Sequence, residues 1–197
     1  MILLSGCTLL RTEERIPLAE KLERENLIAL KAYAVVEAQL PGQDDKIAAR
    51  AIVWLKLPDM ARIEVMGPFN GLAVIIVSSG KGCSYAVNGE VKQCGGNTFF
   101  GAVPGSSVKF LMGSIDKADF KGNGLITAGN GMTILNYEDR SLTAELSDYR
   151  DVRGISLPFS IKTFSKDKTF HIKYSSVELN PSDLSGDTTD FFTIAPR

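Results

Sequence analysis

Three cysteines and one histidine are the side chains of this sequence with the widest chemical reach. A zinc site needs about four Cys, His or carboxylate ligands in close array, and no such group is spaced for it here. His171 lies on a strand-like stretch where Thr169, His171, Lys173 and Ser175 share the polar side. No Ser, Cys or acid stands near it at a suggestive spacing, so it reads as a solvated strand residue. Asp44 and Asp45 fall in a turn, where carboxylates hold local backbone. Gly122-Asn123-Gly124 and Gly129-Asn130-Gly131 read as hairpin corners, because neither precedes a helix as a phosphate-cradling loop must. No cofactor and no metal are expected, and the chain reads as a non-enzyme.

Two of the cysteines belong to a different chemistry. Cys83 and Cys94 flank a segment centred on Asn88-Gly89. Asn-Gly between β-formers is a strong hairpin signal, since a type I′ turn needs positive φ at both central residues. With those two at the tip, Val87 faces Glu90, and counting outward brings Cys83 opposite Cys94. A cross-strand disulfide is then within reach. Two free thiols on a buried face are the alternative.

The third cysteine closes the segment Leu4-Ser5-Gly6-Cys7, which resembles the lipobox of bacterial lipoprotein precursors. That resemblance implies a lipid anchor at Cys7. Thr8 follows where an Asp would imply retention in the inner membrane, so the implied destination is the outer membrane, facing the periplasm. No positively charged n-region precedes the motif, and the apolar lead-in is shorter than the ~7–15 residues of a full signal. An apolar tail over Met1 to Leu10 is the alternative reading. Residues 1–15 are thus expected to be lipobox and tether, and 16–197 one domain.

These residues must be positioned by a fold, and composition bounds it. A chain of 197 residues can bury one well-developed core and does not require a second. The 22 basic and 23 acidic side chains nearly cancel and are scattered, which argues against nucleic acid as a partner. No apolar run approaches the ~20 residues that a membrane-spanning helix needs. Ile16-Pro17 opens a helical stretch to about Leu30, with Leu18, Leu22, Asn26 and Ala29 along one face. Period-two texture then predicts strands Lys31–Leu40, Lys46–Leu57, Met60–Gly67, Leu72–Ser79, Cys83–Val87 and Glu90–Cys94, joined by short turns that demand antiparallel neighbours. A short helix follows, with Val108, Leu111, Met112 and Ile115 on one face. Strands Leu125–Ala128, Met132–Tyr137, Leu142–Leu146, Ile155–Phe164 and Lys168–Leu179 complete the chain. In the last two, Leu157, Phe159 and Ile161 share a face, as do Phe170, Ile172 and Tyr174. The class is therefore mainly β (α+β). A sheet of about ten to eleven strands is expected to curve strongly into an incomplete barrel, with helices as lid or plug.

The loop Gly67-Pro68-Phe69-Asn70-Gly71 offers an aromatic ring at a tip that should be polar. With the Cys7 anchor, the Ser107-Val108-Lys109-Phe110-Leu111-Met112-Gly113 helix and the ending Phe191-Phe192-Thr193-Ile194-Ala195-Pro196, it resembles the LolA/LolB group of lipoprotein carriers and receptors. The likeness is greater to the lipid-anchored receptor branch, LolB, than to the carrier branch. It implies a helical lid over an apolar cavity and a protruding loop that assists membrane insertion. Pro68, Phe69, Asn70 and Gly71 would form that loop, with Phe69 in the inserting role. The loop departs from the family pattern at Gly67, where a polar residue is usual, and at Asn70, which lengthens the tip.

On that resemblance the chain would accept acylated lipoproteins from a LolA-like periplasmic carrier and place them in the inner leaflet of the outer membrane; a monomer is expected. Candidate lining positions are Trp54, then Ile63 and Val65, then Leu72, Val74 and Ile76, with Leu111 from the helix and Phe159 and Ile172 from the closing strands. Each of these could equally be ordinary core. Two other functions compete: a binding module for a lipid or other apolar ligand without a transfer step, and an accessory subunit of an envelope assembly.

Overall fold

A computed structural model of the protein describes residues 27–39, 47–69, 71–79, 82–93, 107–113, 126–129, 132–137, 142–165 and 168–194. Its strands are β1 (Ala29–Gln39), β2 (Ile47–Lys56), β3 (Met60–Met66), β4 (Leu72–Ser79), β5 (Gly82–Val87), β6 (Glu90–Gln93), β7 (Ile126–Gly129), β8 (Met132–Tyr137), β9 (Leu142–Val152), β10 (Ile155–Ser165) and β11 (Lys168–Leu179). Among the described residues one helix, α1 (Ser107–Leu111), lies between β6 and β7 in sequence, and two 3-10 turns, Ser182–Leu184 and Asp190–Phe192, follow β11.

All eleven strands belong to one antiparallel sheet in the order β6-β5-β4-β3-β2-β1-β11-β10-β9-β8-β7. Two meanders of sequential neighbours, β1 to β6 and β7 to β11, are joined by the single ladder between β1 and β11, from Leu30 opposite Leu179 to Gln39 opposite Thr169. A bulge at Tyr33/Ala34 interrupts that seam, which sharpens local twist.

Side-chain alternation divides the sheet into two faces. On the first, Leu30, Ala32, Val53, Leu55, Ile63, Leu146, Ile161 and Ile172 are almost fully shielded and form one cluster with Val108, Phe110, Leu111 and Met112 from α1 and the turn after it. The expected shared face of Leu157, Phe159 and Ile161 and of Ile172 and Tyr174 is this one. On the opposite face the segment after β11 lies across β1 to β4: Leu184, Phe191 and Phe192 pack with Ala29, Trp54, Ile52 and Met60 in a second, smaller cluster. Lys31 to Asp183 at 2.9 Å, Lys56 to the Gly186 carbonyl at 2.6 Å and Arg62 to the Phe191 carbonyl at 2.8 Å hold that segment down.

The expected incomplete barrel, strongly curved and capped by a helical lid, does not form among the described residues. The sheet is open and not strongly curled, with β6 and β7 as its two edges. Three causes are visible. Both edge strands have only four residues, too few ladder bonds to reward closure. β6 carries exposed Glu90 and Lys92, charges that resist pairing. Over β1 to β4 the sheet buries apolar side chains on both faces, so shielding its residues does not require it to roll around one interior. The lid fails for lack of length: α1 has five residues, and its apolar side chains with Met112 join the buried cluster on the first face. β1 also begins at Ala29, two residues earlier than expected, and Leu27 and Ile28 before it are not helical, while residues 16–26 of the expected helix lie outside the described residues.

Candidate functional site

The β3–β4 hairpin is built from its glycines outward. Gly67 donates its N–H to the Gly71 carbonyl at 2.7 Å, closing the loop. A Cβ on Gly67 would stand 3.4 Å from that oxygen and 3.6 Å from the Ala73 Cβ, ordinary contact distances. The ladder slips by one residue between Val65/Val74 and Met66/Leu72, a bulge that bends the hairpin at its end. Pro68 is exposed and Phe69 is 96% exposed. A phenyl ring so presented makes no contribution to the core.

The apolar face runs into this tip as a gradient. Along β2 the residues on that face pass from fully shielded Leu55 and Val53, through buried Ala51 and half-buried Ala49, to Ile47 at 54% exposure. Along β3 they pass from buried Ala61 and Ile63 to half-buried Val65. Along β4 they pass from buried Ile76 to half-buried Val74, where the slip pairs Leu72 with Met66 and so turns it to the opposite face. Cross-strand pairs Ile63–Ile76 and Val65–Val74 keep the strands in step. An apolar strip thus starts in the core and surfaces at one end of the sheet beside Phe69.

Not all the expected lining positions share this face. Ile63, Ile76, Leu111, Phe159 and Ile172 belong to its buried cluster, with Val65 and Val74 packed against it. Leu72, 51% exposed, pairs with Met66 beyond the slip and so lies off this face. Trp54 is on the opposite face, 5.4 Å from Phe191 in an edge contact, and its buried indole N–H has no hydrogen-bond partner. Alternation on β2 makes the reason plain: Val53 and Leu55 point to the first face, so Trp54 cannot. Asn70, Cys7 and Cys94 lie outside the described residues.

Cys83 is buried and disulfide-bonded. The expected I′ turn is present, with φ of 51° at Asn88 and 84° at Gly89. The register places Val87 opposite Glu90 and Ser84 opposite Gln93, so Cys83 is the next rung outward on its strand.

α1 is fastened to the sheet by one buried bond: the Tyr174 hydroxyl donates to the Leu111 carbonyl at 3.0 Å. Burial pushes the phenol far above its usual range, so it remains a donor. Phe159 meets Tyr174 edge-on at 6.4 Å, and Arg150 stacks its guanidinium 4.4 Å over the Phe159 ring while pairing with Asp148 at 2.7 Å. That pair holds the Asp148 carboxyl below the usual carboxylate range.

His171 differs from its expected solvated state. Its Nε2 is 2.8 Å from Ser160 Oγ, its Nδ1 is 3.5 Å from Glu37 Oε2, and Lys173 reaches the other Glu37 oxygen at 2.7 Å. Ser160 and Glu37 are 11 and 134 residues away in sequence, which is why spacing along the chain did not reveal them.

No protein-family model matches the sequence, and no curated protein matches it either. Solved structures do. A LolA superfamily protein from Nitrosomonas europaea is 12% identical with a TM-score of 0.51, the match covering 91% of this chain and 99% of that one. A putative outer membrane lipoprotein-sorting protein domain from Vibrio parahaemolyticus is 10% identical with a TM-score of 0.54, over 89% and 95% of the two chains. A DUF1329 family protein from Desulfovibrio piger is 12% identical with a TM-score of 0.53, over 88% and 95%. At such identities the likeness is one of architecture alone: the chain shares the fold of these structures.

Proposed function

We propose that this protein is a non-catalytic component of the bacterial envelope that handles acyl chains. In its finer form, it is anchored through lipidated Cys7, accepts acylated lipoproteins from a LolA-like periplasmic carrier and passes them to the inner leaflet of the outer membrane. The observation that carries the proposal is the apolar strip that rises along β2, β3 and β4 from a shielded core through Val65 and Val74 to Ile47 and the exposed Phe69. Exposing an acyl chain to water costs about 0.8 kcal/mol per CH₂. A strip continuous with a bilayer-facing tip lets a chain pass between protein and membrane with little of that exposure. Sinking a fully exposed Phe into an apolar phase gains about 2–3 kcal/mol, enough to favour contact with the membrane without making it permanent. Direction then needs only a stepwise rise in affinity from carrier to receptor to bilayer.

The test is transfer of a fluorescently acylated lipoprotein from carrier to liposomes by the purified, anchored protein. Phe69→Glu should abolish delivery while changing stability by less than about 0.5 kcal/mol, as for a surface position. Undiminished delivery by that variant, or purified protein that neither copurifies with nor takes up acyl chains, sinks the proposal.

A further inference from the structure

Acyl-chain handling makes no use of the polar cluster where β1, β11 and β10 run side by side on the face opposite α1. Register puts His171 directly across from Glu37 on one side and from Lys162 on the other. Glu145 on β9 stands across from Lys162, and Lys173 lies two residues along β11 with its ammonium on Glu37. The order Ser160, His171, Glu37 imitates a hydrolase triad. It lacks the oxyanion donors such chemistry needs, because Ser160 is mid-strand, paired with Ser147 on β9 and Lys173 on β11.

The hydrogen-bond directions are set by the partners. A carboxylate only accepts, so Nδ1–H faces Glu37 and Nε2 is the bare nitrogen that accepts from the Ser160 hydroxyl. Protonation reverses this second bond, since Nε2 becomes a donor and Ser160 must accept. It also sets a third positive charge between Lys162 and Lys173.

We propose that Glu37, His171 and Ser160 form a proton-operated clasp over β1, β11 and β10, its Glu37 arm crossing the β1–β11 seam, closed when the imidazole is neutral and loosened when it is charged. Location gives the clasp leverage, because that seam is the only ladder joining the two meanders among the described residues. The same strand presents Ile172 and Tyr174 to the other face, where Tyr174 holds α1. A shift of β11 against β1 is therefore transmitted to the helix. Partial burial, foremost, and then Lys173 push the imidazole below its ordinary value, and Glu37 pulls the other way. This inference does not depend on what the apolar face carries.

His171 is the chain's single histidine, so its ring resonances can be assigned without ambiguity. An NMR titration of the full chain from pH 8 to 5 should give one ring midpoint below the ordinary value. The amides of Glu37, Ser160 and Lys173 should move at that midpoint, and exchange protection along β1–β11 should fall several-fold after correction for intrinsic rates. Glu37→Gln should lower the midpoint further, and His171→Gln should silence the three amides. The clasp is overturned if the ring titrates while the amides and the protection stay still, or if their response persists in His171→Gln.

Discussion

Single side chains in this protein are worth most where they tie one element to another. Tyr174 supplies the buried hydrogen bond between sheet and helix. Tyr174→Phe should cost about 1–2 kcal/mol, since the Leu111 carbonyl is left shielded without a donor; urea denaturation would show it. His171 makes a second join. Its folded-state value lies below the ordinary 6.5, so on acidification the unfolded chain takes up the proton first. Stability should hold above about pH 6.5 and decline as pH falls through that value toward the folded one. Urea midpoints at pH 7.5 and 5.5, above the range where carboxylates titrate, should differ in the parent chain and differ less in His171→Gln. Neither join was legible in the sequence. Alternation told which side of β11 His171 faces, but neighbours on that side are set by ladder register, and register between strands so far apart leaves no local mark.

Individual elements were legible where local chemistry governs them. The Asn88-Gly89 turn, β4, β8 and β11 came out as the texture of the sequence indicates, because turn residues and β-branched alternation act over a few positions. Gly89 has open space around its α-carbon, so Gly89→Ala tests backbone conformation alone. At φ of 84° the substitution should cost about 1–2 kcal/mol, read as a lower melting temperature with little change in circular dichroism. β9 shows the other regime. Its outer half, Ser147 to Val152, is polar, carries Asp148 at a φ of 54° and has no alternation to betray a strand. It is a strand because β10 pairs with it through the tight Arg153-Gly154 turn.

At the scale of the whole molecule, an open sheet with two apolar faces replaces the one-sided curved wall that strand counting favoured. Its class and most of its strands followed from periodicity. The second cluster did not, because Leu184, Phe191 and Phe192 sit in short turns whose destination no period reveals. Trp54, the chain's only tryptophan, reports on that cluster. Phe192→Ala should red-shift its fluorescence and destabilise the protein by about 3–5 kcal/mol; unchanged emission with full stability would mean that the segment does not cover the sheet. The ladder from Leu30–Leu179 to Gln39–Thr169 also dictates an order of events. Each meander can zip up from neighbours close in the chain, whereas uniting them requires contacts roughly 130 to 150 residues apart, the slowest kind to form. A nascent chain thus carries two half-sheets with bare margins until residues 168–179 arrive, and a chaperone guarding such a polypeptide would find its most vulnerable surface at the rim of β1.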